Sequence, residues 1–569
     1  MERNFEAPGP GTWELETTHF ASAMPPYAIN LIGDGIARGF REGGVKYGLM
    51  LDRLEMKDVH GFVYARQVMV GEPDEPKGPP PAWLMYVLTR VHPEMRRRNK
   101  AWLTAVKTKL WEKDLREFDT VMKPDSIRRN LALVNVDLPA LDDDELLSHL
   151  DACSENMLEM YYRHHVYSVS AVAPVGALVA MVTESGTIDA GEAIALLKGS
   201  TPVSAGAFAE ELDALVQSLR KAGIAASALE AVQPEDFCDH LRSSSPDIAS
   251  ALNRYLQFAG ASVVSGYSID EKTLNEVPNL IKSRILGSLT SPAGVDSGVG
   301  NVDAQIASVR SRLPQAQQAD FDFWIEAARK VNRLRDERCF YNVTWAAGIS
   351  RTAILEAGRR LAERGVLPEA ELALECTEPE LTALMRGENA DMASELVQRR
   401  EWRRSSRIED CPEWLGVPPS ADPPPLHLLP AGLRGAMKAV LAGMMHLNDM
   451  EPAPEVDRES DADLTLQGIA VSRGTYEGTA RVISGPDDFG RIQQGDVLIT
   501  KNTSAAFNAV LASLGALVTD RGGLLSHAAI VSREYGIPGV VATKRATHSI
   551  PDGSRVRVNG DNGTVSVLS

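Results

Sequence analysis

The stretch "TDRGGLLSHAAIVSREYGIPGVV", residues 519–541, decides how the chain is read. Gly522 and Gly523 permit the backbone angles by which a strand ending near Thr519 turns into a helix starting near His527, and Ser526 suits the helix N-cap. A strand, a tight turn and a helix start form an anion site. Unpaired N–H groups of the first turn point at whatever the first side chains hold, and the helix dipole adds roughly 0.3–1 kcal/mol for a nearby negative charge. Neutral imidazole is also a good nucleophile near neutral pH, because its unperturbed pKa is about 6.5. For an isolated histidine the plainer reading, a ring that fills the first turn and bonds a carbonyl, is preferred. Here the residues around His527 decide.

Working outward, residues 464–569 alternate between strand and helix patterns. "GTARVIS", "GDVLIT", "GALVT" and "GVVAT" read as strands, "SAAFNAVLASL" and "SHAAIVSREY" as helices. "RVRVNGDNGTVSVL" alternates on both sides of a turn containing Asn-Gly, a strong hairpin signal. Before this domain, "EPAPEVDRESDAD" at 451–463 carries six acids and one arginine, a composition that buries no core and reads as a hinge linker. Residues 82–450 are expected to form a large, mainly helical domain, with proline clusters at "GVPPSADPPP" (416–425) and a loop at "SPAGVDSGVGNVD" (291–303). Within it, 321–365 predicts two antiparallel helices, the second closed by Gly365. Residues 1–81 form a strand-containing segment: two or three short strands over 45–70, interrupted near Asp58, then the proline-rich spacer 71–81. The expected fold class is therefore multidomain α+β, a mainly α-helical central domain followed by a C-terminal β/α domain.

Composition bounds the function. A chain of 569 residues should divide into about three or four domains. A 44% hydrophobic and 24% charged composition with a formal charge of −18 suits an acidic globular protein and disfavours broad binding to nucleic acid or anionic lipid. Five scattered cysteines, without a CxxC pair, indicate neither a disulfide framework nor a zinc ribbon, and a reducing cytoplasm fits. The N-terminus lacks the pattern of a secretory signal. The apolar run Val166–Val182 is broken by Ser168, Ser170 and Pro174, so a buried core helix is expected there and no membrane span.

The residues Thr519, Gly522, Gly523, Ser526, His527, Ala528, Ala529, Ile530, Val531, Arg533, Glu534, Gly536, Ile537 and Pro538 together resemble the phosphohistidine signature of the swivelling domain in the PEP-utilising enzymes: phosphoenolpyruvate synthase, pyruvate phosphate dikinase and rifampin phosphotransferase. The likeness runs from "GIAVSRGTYEGTARV" to the C-terminal hairpin. It implies that His527 accepts a phosphoryl group at one site and delivers it at another, with Thr519, Gly522, Gly523 and Ser526 around the phosphate. Two departures bear on loop geometry: Ser504 stands where many relatives have proline, and Ala542 where glycine is common.

The sequence ends at Ser569, so no pyruvate-binding barrel is expected and the resemblance leans toward rifampin phosphotransferase or the phenyl and methylphenyl phosphate synthases. The looser "PGPGTWELETTHF" and "LRDERCFYNVTWAAGISRTAILEAGRRLAERGVL" resemble the non-nucleotide parts of those proteins. No GxxxxGK[ST] loop is present, and "LLKGST" at 196–201 has its lysine on the wrong side of its only glycine. The helical region does not resemble an ATP-grasp domain either. ATP and Mg²⁺ are then expected on a separate ATP-grasp subunit, with neither a tightly bound cofactor nor a metal site on this chain.

A phenolic or other small aromatic hydroxyl as acceptor needs an apolar site with one base and nearby cations. His164 and His165 in "YYRHHVYS" are candidate bases, of which helical geometry suggests only one faces a pocket; a surface and a core histidine is the simpler alternative. Arg335 and Arg338, three apart on one helix, could clamp phosphate oxygens or equally could pair with Asp336, Glu337 and neighbouring helices. "RREWRR" (399–404) reads as a solvated face and "PEMRRRNK" (93–100) as a surface or docking patch. Two alternatives stay open: a component of a rifampin-type antibiotic phosphotransferase, or a phosphocarrier or regulatory protein without a small acceptor.

Overall fold

The computed structural model describes the chain apart from residues 1–3, 18, 21, 74, 76–80, 201–207, 265–266, 291–301, 389–390, 420–424, 448–463, 504–506, 512, 525 and 569. The hinge linker 451–463, Ser504 and most of the 291–303 loop lie outside the described residues, as do parts of both proline-rich stretches. The chain divides into two compact units, each assembled from three segments. The first comprises Met1–Ala171, Ala261–Glu271 and Glu337–Lys438; the second comprises Val172–Gly260, Lys272–Asp336 and Ala439–Ser569.

In the first unit an antiparallel sheet has the order β2-β3-β1-β4, from β1 (Thr12–Leu15), β2 (Leu51–Val59), β3 (Phe62–Met69) and β4 (Trp414–Gly416). Its core is Trp13, Phe62, Tyr64 and Leu415. The break read near Asp58 is the β2–β3 turn: His60 and Gly61 take φ of 57° and 89°, and Asp58 Oδ1 accepts the Gly61 N–H at 2.6 Å.

Helix α1 (Pro26–Tyr47) has no counterpart in the sequence reading, because its glycines mask the helical pattern. The fold requires them. A Cβ on Gly35 would stand 2.6 Å from the Leu158 carbonyl oxygen, on Gly39 2.6 Å from His165 Cβ, and on Gly43 2.9 Å from the Val166 carbonyl oxygen. This four-residue repeat lets α1 pack backbone to backbone on α2 (Asp143–Val166), which opens on an Asp142–Glu145 capping box.

The basic runs differ in part from expectation. Arg403 is held by the buried Glu375 and by Asp270, Arg399 by Glu380 and Glu395, and Arg400 by Glu369, so "RREWRR" is an ion-pair seam and not a solvated face. In "PEMRRRNK", Arg96, Arg97 and Lys100 are exposed as expected, whereas Arg98 is buried and donates to the Leu49 and Leu51 carbonyls. Apart from Glu395, these partners lie far away in sequence, which hides them from a local reading.

The predicted antiparallel pair over 321–365 is also absent. The chain stays helical from α4 (Gln315–Arg338) through a π-helical turn (Cys339–Thr344) into α5 (Trp345–Glu363), because "RCFYNVT" contains no glycine or proline to break it. Gly365, with φ 72°, does follow the C-cap of α5. The five cysteines are free. The helical run Asp143–Glu184, formed by α2 and α3 (Ser168–Glu184), is long and apolar enough to cross a membrane, yet 78% of its most apolar window is buried inside the protein.

The second unit contains helices Ala209–Lys221, Pro234–Ser244, Pro246–Ala259 and Pro278–Thr290, with most of α4, and an eight-stranded sheet. The strands are β5 (Thr465–Gln467), β6 (Ile469–Ser472), β7 (Thr475–Val482), β8 (Val497–Thr500), β9 (Ala516–Thr519), β10 (Gly539–Val541), β11 (Arg555–Asn559) and β12 (Thr564–Leu568), in the order β5-β12-β11-β7-β8-β9-β10-β6. β7 to β10 run parallel, and β8, β9 and β10 are buried along their whole length, as expected of strands covered on both faces. The predicted hairpin is the antiparallel pair β11–β12.

Candidate functional site

His527 opens α6 (His527–Tyr535), the helix that follows β9. Its position is set by two loops leaving the carboxyl ends of the adjacent parallel strands β8 and β9. Beyond the last β8–β9 pair the loops stay side by side, through Asp520 N–H to the Thr500 carbonyl (3.0 Å) and Arg521 N–H to the Lys501 carbonyl (2.9 Å). That register carries Thr503 to His527, whose Nδ1 lies 3.0 Å from the Thr503 hydroxyl.

Between β9 and α6 the chain turns at Gly522, with φ 122°, where a Cβ would meet Ser526 Oγ at 2.8 Å. Gly522 alone of the pair takes a left-handed angle; Gly523 is buried and offers its carbonyl to Ser526 N–H at 3.0 Å. Ser526 is the N-cap, its hydroxyl accepting from Ala529 N–H at 3.3 Å. Thr519 is fully buried, and its hydroxyl donates to the Arg521 carbonyl, so it shapes the loop. The buried Asp520 is gripped by Thr543 Oγ1 at 3.2 Å and by Thr547. Arg533, one and a half turns along α6, donates to the Leu524 carbonyl. Gly536, with φ 66°, closes the helix.

Burial holds the His527 pKa down at about 4; Asp336 opposes this and Arg335 reinforces it. The ring is therefore neutral at pH 7. The tautomer that donates Nδ1–H to Thr503 leaves the lone pair on Nε2, a buried atom without a hydrogen-bond partner among the described residues. Arg335 binds the carboxylate of Asp336 through Nε (3.1 Å) and Nη2 (3.0 Å), and this charged pair on α4 lies within electrostatic reach of the nucleophile. Arg533 is lowered to about 10 by burial and by Arg335.

In the first unit a second group of titratable side chains gathers at the end of α2. His164 and His165 do not diverge into one surface and one core ring: both are half-buried, with ring centroids 4.6 Å apart. Side-chain rotation brings the rings together although their Cα–Cβ bonds point apart. His165 Nδ1 lies 2.8 Å from the Tyr161 carbonyl, and its ring is 5.1 Å from Phe40. Burial, aided by Arg338, pushes His165 down to about 3 and His164 well below the usual range. Arg338 donates to the His164 carbonyl (2.6 Å) and to Ser168 Oγ (2.9 Å), bracing the end of α2. Arg335 and Arg338 thus have separate partners and do not act as one clamp.

Thr503, Asp336 and His19 are missing from the sequence-based site. Thr503 is next to the quoted Ser504, Asp336 is the neighbour of Arg335, and His19 is the penultimate residue of the quoted "PGPGTWELETTHF". Only chain folding shows that they face histidines.

Residues 492–563 match the family model of the PEP-utilising enzyme mobile domain. The chain thus carries, over these residues, a mobile domain of the PEP-utilising enzyme type. It is similar to a Bacillus subtilis protein described as an uncharacterized phosphotransferase, 28% identical over 44% of this chain and 28% of that one. A rifampicin phosphotransferase of Streptomyces sviceus is 28% identical over 60% of this chain and 37% of its own length. A second, from Bacillus cereus, is 41% identical over 20% of this chain and 13% of its own. The chain thus spans about a third of the length of the first two relatives. Within the mobile domain, His527 sits at the carboxyl edge of the parallel strands, where open α/β sheets place ligands.

Proposed function

We propose that this chain is the phosphohistidine-carrying and acceptor-binding part of an ATP-dependent, dikinase-type phosphotransferase. ATP and Mg²⁺ on a separate ATP-grasp subunit phosphorylate His527, with one water consumed and AMP and phosphate released, and His527 passes its phosphoryl group to the hydroxyl of a phenol or another small aromatic compound. The observation that carries this reading is a neutral imidazole at a helix start, with Nδ1 fixed by Thr503 and Nε2 without a hydrogen-bond partner among the described residues. The Nε2 lone pair attacks phosphorus while Thr503 holds the ring. First-turn N–H groups of α6 and the Arg335 guanidinium offset the incoming negative charge. In the second step the Nε2–P bond breaks and its electron pair returns to the imidazole.

The named relatives are phosphotransferases, which supports the reaction class. The test is to mix the chain with candidate ATP-grasp proteins, ATP, Mg²⁺ and a panel of phenols. Phosphoester should form with the natural sequence, and undiminished turnover by His527→Ala would overturn the reading. A second acceptor class is favoured by one observation: relatives named rifampicin phosphotransferase match over 60% of this chain, which points to a larger hydroxylated antibiotic. Growth protection of a rifampicin-sensitive host, with no phenol phosphorylation, would select that class.

A further inference from the structure

The proposed transfer needs a group to take the acceptor's hydroxyl proton, and the two histidines suggested by sequence are poorly placed for it. His165 Nδ1 is committed to the Tyr161 carbonyl, and both His164 and His165 are held neutral by burial beside Arg338. A third histidine belongs to the same cluster in the first unit. His19 lies in the segment following β1, its ring 5.8 Å from that of Tyr267, whose backbone carbonyl accepts the Tyr161 hydroxyl at 2.9 Å. Its field reaches both His164 and His165, and Arg338 acts on all three rings.

His19 has the partner that a general base requires. Glu16 Oε1 lies 3.2 Å from His19 Nδ1, while Glu16 Oε2 accepts the backbone N–H groups of His19 (3.0 Å) and Phe20 (3.2 Å). The carboxylate is thereby locked in place, with its side chain 13% exposed against 45% for the histidine. This is the orienting arrangement in which a carboxylate fixes the Nδ1–H tautomer, leaving Nε2 to take a proton. His164 Nδ1, which has no hydrogen-bond partner among the described residues, marks the same cluster as one with unused hydrogen-bonding capacity.

We propose that His19, oriented by Glu16, is the general base for the acceptor hydroxyl. The assignment rests on the phosphotransferase reading above and deepens it. In the step, the acceptor O–H proton goes to His19 Nε2, the acceptor oxygen forms its bond to phosphorus, and the bond from phosphorus to His527 Nε2 breaks with its electron pair returning to that ring. Arg338 supplies positive charge beside the developing phosphoester. Burial and Arg338 pull the His19 pKa down, but the charge and hydrogen bond of Glu16 outweigh them and raise it above the ordinary value. Proton removal therefore strengthens as pH rises through that raised value.

The experiment loads the full chain with phosphoramidate, a chemical phosphoryl donor to histidine, then follows single-turnover transfer to phenol and 4-methylphenol across pH. His19→Gln should take up phosphate on His527 as the natural chain does, which shows that the fold is kept, yet transfer to phenol on the order of a hundredfold more slowly. Glu16→Gln keeps acceptors for the backbone N–H groups and should shift the acid limb of the pH profile to lower pH, a change that a purely structural role does not produce. Transfer by His19→Gln at the natural rate, or an acid limb unmoved in Glu16→Gln, overturns the proposal while leaving the phosphotransferase reading intact. A natural chain that loads His527 but passes nothing to either phenol overturns the phenol reading, and the proposal with it.

Discussion

At the scale of the residue, His527 is set apart by its surroundings and not by its identity. Burial stabilises the neutral ring, so its titration midpoint should lie near pH 4 and not at the ordinary value. Because the folded pKa is depressed, the unfolded chain takes up this proton first as pH falls. The stabilising contribution is complete above about pH 6.5 and is lost as pH drops toward 4. NMR titration of the ring protons checks this; a midpoint at or above 6.5 would contradict it. Ala542 offers a second residue-scale test. It holds φ at 57°, a left-handed angle costly for alanine, and the next residue, Thr543, closes on the Thr519 carbonyl with its N–H at 3.1 Å. Relief of strain set against the added freedom of glycine in the unfolded chain predicts that Ala542→Gly raises stability by up to about 1 kcal/mol, read by chemical denaturation. The departure from family pattern at Ala542 was visible in sequence; its backbone angle was not.

At the scale of the element, legibility depends on where the partners of a segment lie. The strands and the His527 helix of the mobile domain carry their own turn signals and capping residues, so local pattern found them. Helix α1 does the opposite: Gly35, Gly39 and Gly43 weaken its intrinsic propensity because the helix exists to meet the backbone of α2. Gly39→Ala would place its Cβ 2.7 Å from the Tyr162 carbonyl oxygen, on the turn that carries His164 and His165. It should cost about 1–3 kcal/mol by overpacking. The loss appears as a lowered denaturation midpoint, and an unchanged midpoint would mean that α1 and α2 are not packed this closely. The same dependence on distant partners concealed His19, whose relation to His164, His165 and Arg338 arises only when the segment after β1 meets α2.

At the scale of the whole molecule, the first unit draws its residues from three separated stretches, and one arginine joins them. Arg403 binds Glu375, which is 1% exposed, with Asp270 from the second stretch and the Ala23 carbonyl, at 3.3 Å, from the first. Arg403→Ala would strand a buried carboxylate and should destabilise this unit by about 3–5 kcal/mol; a loss under 1 kcal/mol, as for an exposed pair, would contradict the seam. Long-range pairing of this kind is what composition and periodicity leave illegible, whereas the mobile domain follows from local pattern. The central claim, that Nε2 of the neutral His527 ring carries phosphate, has its most direct test in mass spectrometry of the phosphoryl-loaded chain under alkaline conditions. One acid-labile phosphoryl group on the peptide containing His527, absent from His527→Ala, is the predicted result; phosphate on another residue, or none on His527, would contradict it.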